Sequence, residues 1–142
     1  MHYHFKVYKE NNGYWAECSE LEGCNTQADT LEQLEKNMSE ALNLFLTEPD
    51  DSKVIFPLPD ESIISSDKIV PVKVDPQIGF AFLLRRYRLI KKLTQQEIAK
   101  KMGWSNIWSY QRFEKAKSNP SLTILTKFHE KFPDLDINLV FS

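Results

Sequence analysis

The chain has 142 residues, 42% of them hydrophobic and 27% charged, with a formal net charge of -2. That is the composition of a globular chain able to bury a core in one ordinary domain or two small ones, which excludes a disordered tail. No apolar run reaches the roughly 18 to 20 residues needed to cross a bilayer, and the N-terminus has no basic stretch leading into an apolar one, so a cytoplasmic location without a membrane partner is expected. The charge is unevenly spread. Residues 1–70 hold 5 Lys or Arg against 14 Asp or Glu, a balance of -9, whereas residues 71–142 hold 13 against 6, a balance of +7. Such asymmetry predicts two modules with different partners, the basic one suited to nucleic acid.

In chain order, Tyr3, Phe5 and Val7 alternate with His4, Lys6 and Tyr8, the period of two of a half-buried strand. "ENNG" supplies a turn signal and "YWAEC" a second strand, so residues 2–18 are predicted to form a hairpin, with a third short strand in "LEGCNTQ". From Thr30 the period changes. Leu31, Leu34, Met38, Leu42 and Phe45 recur at three and four residues, with Thr30 and Gln33 placed as a capping box, which predicts a helix of about four turns packed on the sheet. Cys18 and Cys24 match neither a zinc knuckle nor a CxxC pair, and His2, His4 and His129 complete no ligand set. Reduced thiols, no metal and no cofactor are expected.

"GYWAECSELEGCNTQADTLEQLEKNMSEALNLFL", followed by "FPLPD", resembles the N-terminal domain of HicB antitoxins over roughly residues 1–60. The chain departs from that pattern at "SELEGC", where a proline-bearing turn is usual, and at Ala28, where glycine is common. The resemblance implies a truncated ribonuclease H-like fold. Two-metal nuclease chemistry would need convergent carboxylates beginning on the first strand, and "HYHFKVYK" has none, so no catalytic residue and no enzyme activity are expected. The acidic cluster Glu17, Glu20 and Glu22, with Trp15 beside it, is instead expected as an exposed toxin-binding rim.

From Glu48 to Pro76 the chain carries five of its seven prolines, which predicts a boundary. Residues 61–77 are taken as a linker with a short strand in "KIVPVKV", and "KVIF" has the β-branched content of another. The third segment, residues 78–142, is expected to be helical. Ile78, Phe82, Leu83, Leu84 and Leu89 mark one helix, with Arg85, Arg86 and Arg88 on its remaining surface. Thr94 and Glu97 form a T-x-x-E box that opens a second helix, ended at Gly103. A third helix follows "WSN", burying Tyr110 and Phe113, and Ser121 caps a fourth with Leu122, Leu125 and Phe128 inside.

Residues 79–130 resemble the lambda-repressor-like, Xre-type DNA-binding domain, through "LTQQEIAKKMG", Ser105, "RFE" and "KSNPSL". The chain is one residue longer than that pattern between Ser105 and Arg112; the extra residue is assigned to the turn, making Asn106 the helix cap. The resemblance implies that the third helix enters the major groove of operator DNA. The DNA-binding candidates are then Gln95, Asn106, Ile107, Trp108, Ser109, Gln111, Arg112, Lys115 and Lys117. Finally, Ile137, Leu139 and Phe141 alternate and predict a terminal strand that pairs within the subunit or across a two-fold axis.

The whole reading is an α+β chain: a small antiparallel sheet with one helix, then an all-α helix-turn-helix domain with a dimerising C-terminal strand. The joint resemblance implies an antitoxin of the HicB family that blocks a HicA-type toxin protein and, as a homodimer or higher oligomer, represses its own operon. The alternative is a stand-alone repressor with a ligand-sensing N-terminal domain, which would need a concave apolar pocket.

Overall fold

The structure is a computed structural model that describes residues 1–47 and 52–142; residues 48–51, with Pro49 of the proline-rich segment, lie outside the described residues. The chain divides into two compact units, one made of Met1–Leu46 and Phe56–Asp75 and the other built around Pro76–Ser142.

In the first unit the alternating N-terminal residues form β1 (His2–Glu10), which turns through Asn11 and Asn12 into β2 (Gly13–Cys18). Glycine is required just after the turn, because a Cβ on Gly13 would stand 2.7 Å from the Ala28 carbonyl oxygen. β3 (Asn25–Ala28) pairs with β2, and α1 (Leu31–Leu46) follows. The period-two face carrying Tyr3, Phe5, Ala16 and Cys18 is buried, and α1 presents Leu34, Met38, Leu42 and Leu46 as its buried stripe. Two expectations for α1 need correction. Leu31 is exposed and Leu46 takes the buried place given to Phe45, whose ring instead packs on Phe56 with centroids 5.0 Å apart. Only half of the capping box forms: Gln33 N donates to Thr30 Oγ1 at 3.1 Å, while the Gln33 side chain reaches forward to Asn37.

The short strand expected within segment 61–77 forms. Ile69–Lys73 forms β4, antiparallel to β1 with Phe5 opposite Val70, and gives a sheet in the order β3-β2-β1-β4. β1 would otherwise expose a row of unpaired backbone groups, and Pro71 is tolerated because β4 lies at the sheet's margin. Residues 53–56, "KVIF", form no strand.

The second unit begins with α2 (Pro76–Ile90), proline occupying the first helical position where its missing N–H costs nothing. α3 (Gln95–Lys101), α4 (Trp108–Glu114) and α5 (Leu122–Lys131) follow. Their common core is aromatic. The Phe128 ring sits among Phe80, Trp104, Phe113, Tyr110 and Phe132, with centroid separations from 5.6 to 6.5 Å. Mostly edge-to-face rings of this kind add to the burial energy of each side chain. Leu125 is only half-buried, and Leu122, expected inside, is 82% exposed: on α5 only Phe128 is fully buried.

The predicted terminal strand is overturned. Ile137–Phe141 is a 3-10 turn, opened by Asp136 Oδ1 accepting from Asn138 N at 3.2 Å, with Val140 as its buried residue. With three residues per turn the alternation does not define a face here: Val140, outside the alternating set, is buried while Phe141 is 73% exposed, and the turn packs against α2.

Candidate nucleic-acid interface

The basic unit places two short helices around a glycine turn. Thr94 and Glu97 make the complete reciprocal box at the start of α3: Glu97 N donates to Thr94 Oγ1 at 3.0 Å and Thr94 N donates to Glu97 Oε1 at 3.1 Å. Backbone and hydroxyl hydrogen bonds from Thr94 lower the Glu97 pKa. α3 stops where Gly103 takes φ +77, a left-handed conformation that costs glycine little. The chain then reaches α4 through Trp104–Ile107. Asn106 works as the cap through its side chain, its Oδ1 accepting from Ser109 N at 3.0 Å and from Ser109 Oγ at 3.1 Å. Tyr110 and Phe113 are buried, as expected.

α4 is held by a polar cluster that the sequence reading missed. Arg88 of α2 was expected at the surface, yet it is buried and forks onto Glu114: Nε donates to Oε2 at 3.0 Å and Nη2 to Oε1 at 2.6 Å. Its Nη1 donates to the Leu93 carbonyl at 3.2 Å. Arg85 is likewise buried rather than on the solvated face expected of it. Gln95 Nε2 donates to Glu114 Oε1 at 3.2 Å, and Gln111 Nε2 donates to Gln95 Oε1 at 2.9 Å. The carboxylate therefore ties α2, α3 and α4 together. Burial, and then the nearby Glu114 charge, push the Tyr110 phenol well above its ordinary pKa. The one available signal in the sequence was a charged residue at a helical position otherwise facing the core.

The candidate residues fall into two groups. Ile107 and Trp108, 38% and 48% exposed, stand out at the start of α4, and the ammonium groups of Lys115 and Lys117 lie 5.5 and 5.8 Å from the centre of the Trp108 ring. This is a concentrated apolar and cationic surface. Asn106, Ser109, Gln95 and Gln111 are engaged within the protein, the last two as a rigid amide pair that fixes where Gln111 points. Arg112 is half-buried, its guanidinium 4.4 Å from the Phe113 ring centre and its Nε donating to Ser109 O at 3.3 Å.

A profile of the helix-turn-helix family matches residues 84–138. Residues 84–138 form a helix-turn-helix domain. This is a DNA-binding module of the Xre and lambda-repressor kind, and it gives the chain a DNA-binding regulatory half. No curated protein matches the chain.

In the N-terminal unit, Trp15 stacks on Tyr8 with ring centroids 4.1 Å apart, and the Tyr8 hydroxyl donates to Glu17 Oε1 at 2.8 Å. By register these residues lie on the sheet face opposite Tyr3, Phe5 and Ala16. Glu17 and Glu22 are exposed. Glu20 is not part of an open rim: its side chain is 3% exposed. One carboxylate oxygen accepts from His4 N at 2.9 Å; the other accepts from Asp60 N at 3.1 Å and lies 2.8 Å from His4 Nδ1. It anchors the turn after β2 to β1 and to residue 60. A cleft of about 910 Å³ opens at the hairpin tip beside α1, lined by polar residues including Glu10, Asn12, Gln27, Asp29 and Asn37. Among the described residues no cluster of His, Cys, Asp or Glu could hold a metal ion, and no helix is long and apolar enough to cross a membrane.

Proposed function

We propose that the chain is a HicB-type antitoxin: its helix-turn-helix domain binds operator DNA as a dimer, and its acidic N-terminal unit covers a HicA-type toxin. The observation that carries the DNA half is one apolar and cationic surface, in which Ile107 and Trp108 at the exposed start of α4 meet Lys115 and Lys117 from just beyond its end, on a helix braced by Glu114. Trp108 and Ile107 suit thymine methyls, the braced Gln111 amide suits an adenine edge, and the two lysines suit phosphates. Two such helices one DNA turn apart read a palindrome, which requires a dimer. Arg112 would have to leave Phe113 to reach a guanine, a short rotation for a long side chain.

Support for the antitoxin half is the sequence resemblance together with the Tyr8–Trp15 stack beside exposed Glu17. A toxin that binds RNA presents a positive surface, and an acidic module of net -9 over residues 1–70 is attracted to it. Gel shifts with the full chain on operator and scrambled duplexes test the DNA half: Arg112→Ala should weaken operator binding by about 1 to 3 kcal/mol and relax specificity. Equal loss on both duplexes makes Arg112 a phosphate contact, and no loss rejects the placement of α4 in the groove. Co-expression with a small basic ribonuclease encoded beside the gene tests the toxin half. Failure to rescue growth or to co-purify would leave a repressor without an antitoxin role.

A further inference from the structure

The register of the N-terminal sheet places two thiols face to face. Glu17 pairs with Asn25 and Ala16 with Thr26, so the next step of the same antiparallel ladder sets Cys18 opposite Cys24. The backbone confirms the step: Cys18 N donates to Cys24 O at 2.8 Å, and Cys24 N donates to Leu21 O at 3.1 Å, closing the turn between them. Cys18 and Cys24 make one of the two bonds that a hydrogen-bonded antiparallel pair exchanges, and residues opposed in an antiparallel ladder have Cα atoms about 4.5 to 5.5 Å apart with side chains on the same face. That separation falls within the roughly 4.4 to 6.8 Å that a disulfide spans. Both cysteines are free and buried. Their side chains interact directly, a contact that pushes the Cys18 pKa up and holds the Cys24 pKa down. The turn joining them lies at the surface, with Ser19, Glu22 and Gly23 exposed.

We propose that Cys18 and Cys24 are a reversible dithiol–disulfide pair, oxidised by hydroperoxides, that locks the turn between β2 and β3. The Cys24 sulfur attacks one peroxide oxygen, the O–O bond breaks, and hydroxide leaves and takes up the thiol proton as water. Cys18 Sγ then attacks Cys24 Sγ, the S–O bond breaks, and the departing hydroxide takes the Cys18 proton. Two thiols lose two electrons and two protons, and one hydrogen peroxide becomes two waters. An external dithiol reverses the exchange. Oxidation withdraws the Cys18 thiol from Glu20, whose Oε1 lies 3.7 Å from Cys18 Sγ, so the switch acts on the carboxylate that anchors His4 and residue 60. The proposal stands independently of any toxin-binding role.

The test uses the full chain, reduced, desalted, and treated with hydrogen peroxide under native conditions. A Glu-specific protease cuts between the cysteines, after Glu20 and Glu22, so an intramolecular disulfide appears as two linked peptides in mass spectrometry. The expected result is that linked pair, lighter by two hydrogens than its reduced parts and restored by dithiothreitol. Cys18→Ser should instead leave Cys24 as a sulfenic acid captured by dimedone. Linkage that forms only in urea, disulfides only between chains, or overoxidised cysteines without a linked peptide would overturn the proposal.

Discussion

Breaking the Arg88–Glu114 pair is the sharpest test of how the recognition helix is held. The side chains are 10% and 4% exposed, and Arg88 makes two charge-assisted bonds to the carboxylate, which also accepts from Gln95. Glu114→Ala strands a buried guanidinium that keeps the Leu93 carbonyl and leaves the Gln95 amide without that acceptor. Removing one member of a buried ion pair costs about 3 to 5 kcal/mol. Against a typical domain stability of about 5 to 15 kcal/mol this is a large fraction, and at about 4 °C or more per kcal/mol it lowers Tm by at least about 12 °C. Arg88→Met should cost a similar amount by leaving Glu114 buried without its cation. The double variant Arg88→Met, Glu114→Leu removes both charges and should recover to within about 1 kcal/mol of the parent, since apolar replacement of a buried pair is often neutral. Urea unfolding of the full chain followed by circular dichroism measures all three. A single variant that loses less than about 1 kcal/mol, or a double variant no more stable than the singles, refutes the view that the pair is desolvated and mutually dependent.

Further tests address single residues. Ala116 ends α4 at φ 57, where a side chain costs roughly 1 to 2 kcal/mol; after the extra unfolded-chain entropy of glycine, Ala116→Gly should stabilise the domain by about 0.5 to 1 kcal/mol in the same urea assay. Tyr87 donates to Asp134 at 2.6 Å, and burial first, then this bond, raises its pKa to about 12. Because the folded state holds that proton more tightly, its contribution is complete below pH 10 and is lost as pH rises towards 12; Tyr87→Phe should flatten alkaline unfolding in that window. Glu20→Ala should destabilise the N-terminal unit by about 1 to 3 kcal/mol by orphaning His4 N and Asp60 N, seen as earlier amide exchange at those two positions. For the proposed toxin complex, Trp15→Ala should mainly speed dissociation while Glu17→Gln with Glu22→Gln mainly slows association at low salt, read by stopped-flow mixing.

Features set by contacts between chain neighbours were legible before folding was considered. Thr94 and Glu97, and Ser121 and Ile124, each meet within three residues, so these local caps located the starts of α3 and α5, whereas Asn106 was placed as the cap of α4 through the family resemblance. The hairpin and the stripe of α1 were legible for the same reason, since periodicity is a local property. The exposed positions Ile107 and Trp108 followed once α4 had its phase.

Features that depend on partners distant in the chain emerged on folding. Glu20 reads as one of three acidic neighbours until the backbone of residue 60 arrives, 40 positions on, and makes it an anchor. Arg88 reads as one of three surface arginines until Glu114, 26 positions on, gives it a buried counter-charge. β4 looked like a linker strand because nothing local says that β1 lacks a neighbour on one edge. The last apolar residues read as a strand by their alternation but form a turn against α2, because burial against a packed neighbour outweighs the weak intrinsic preference of five residues.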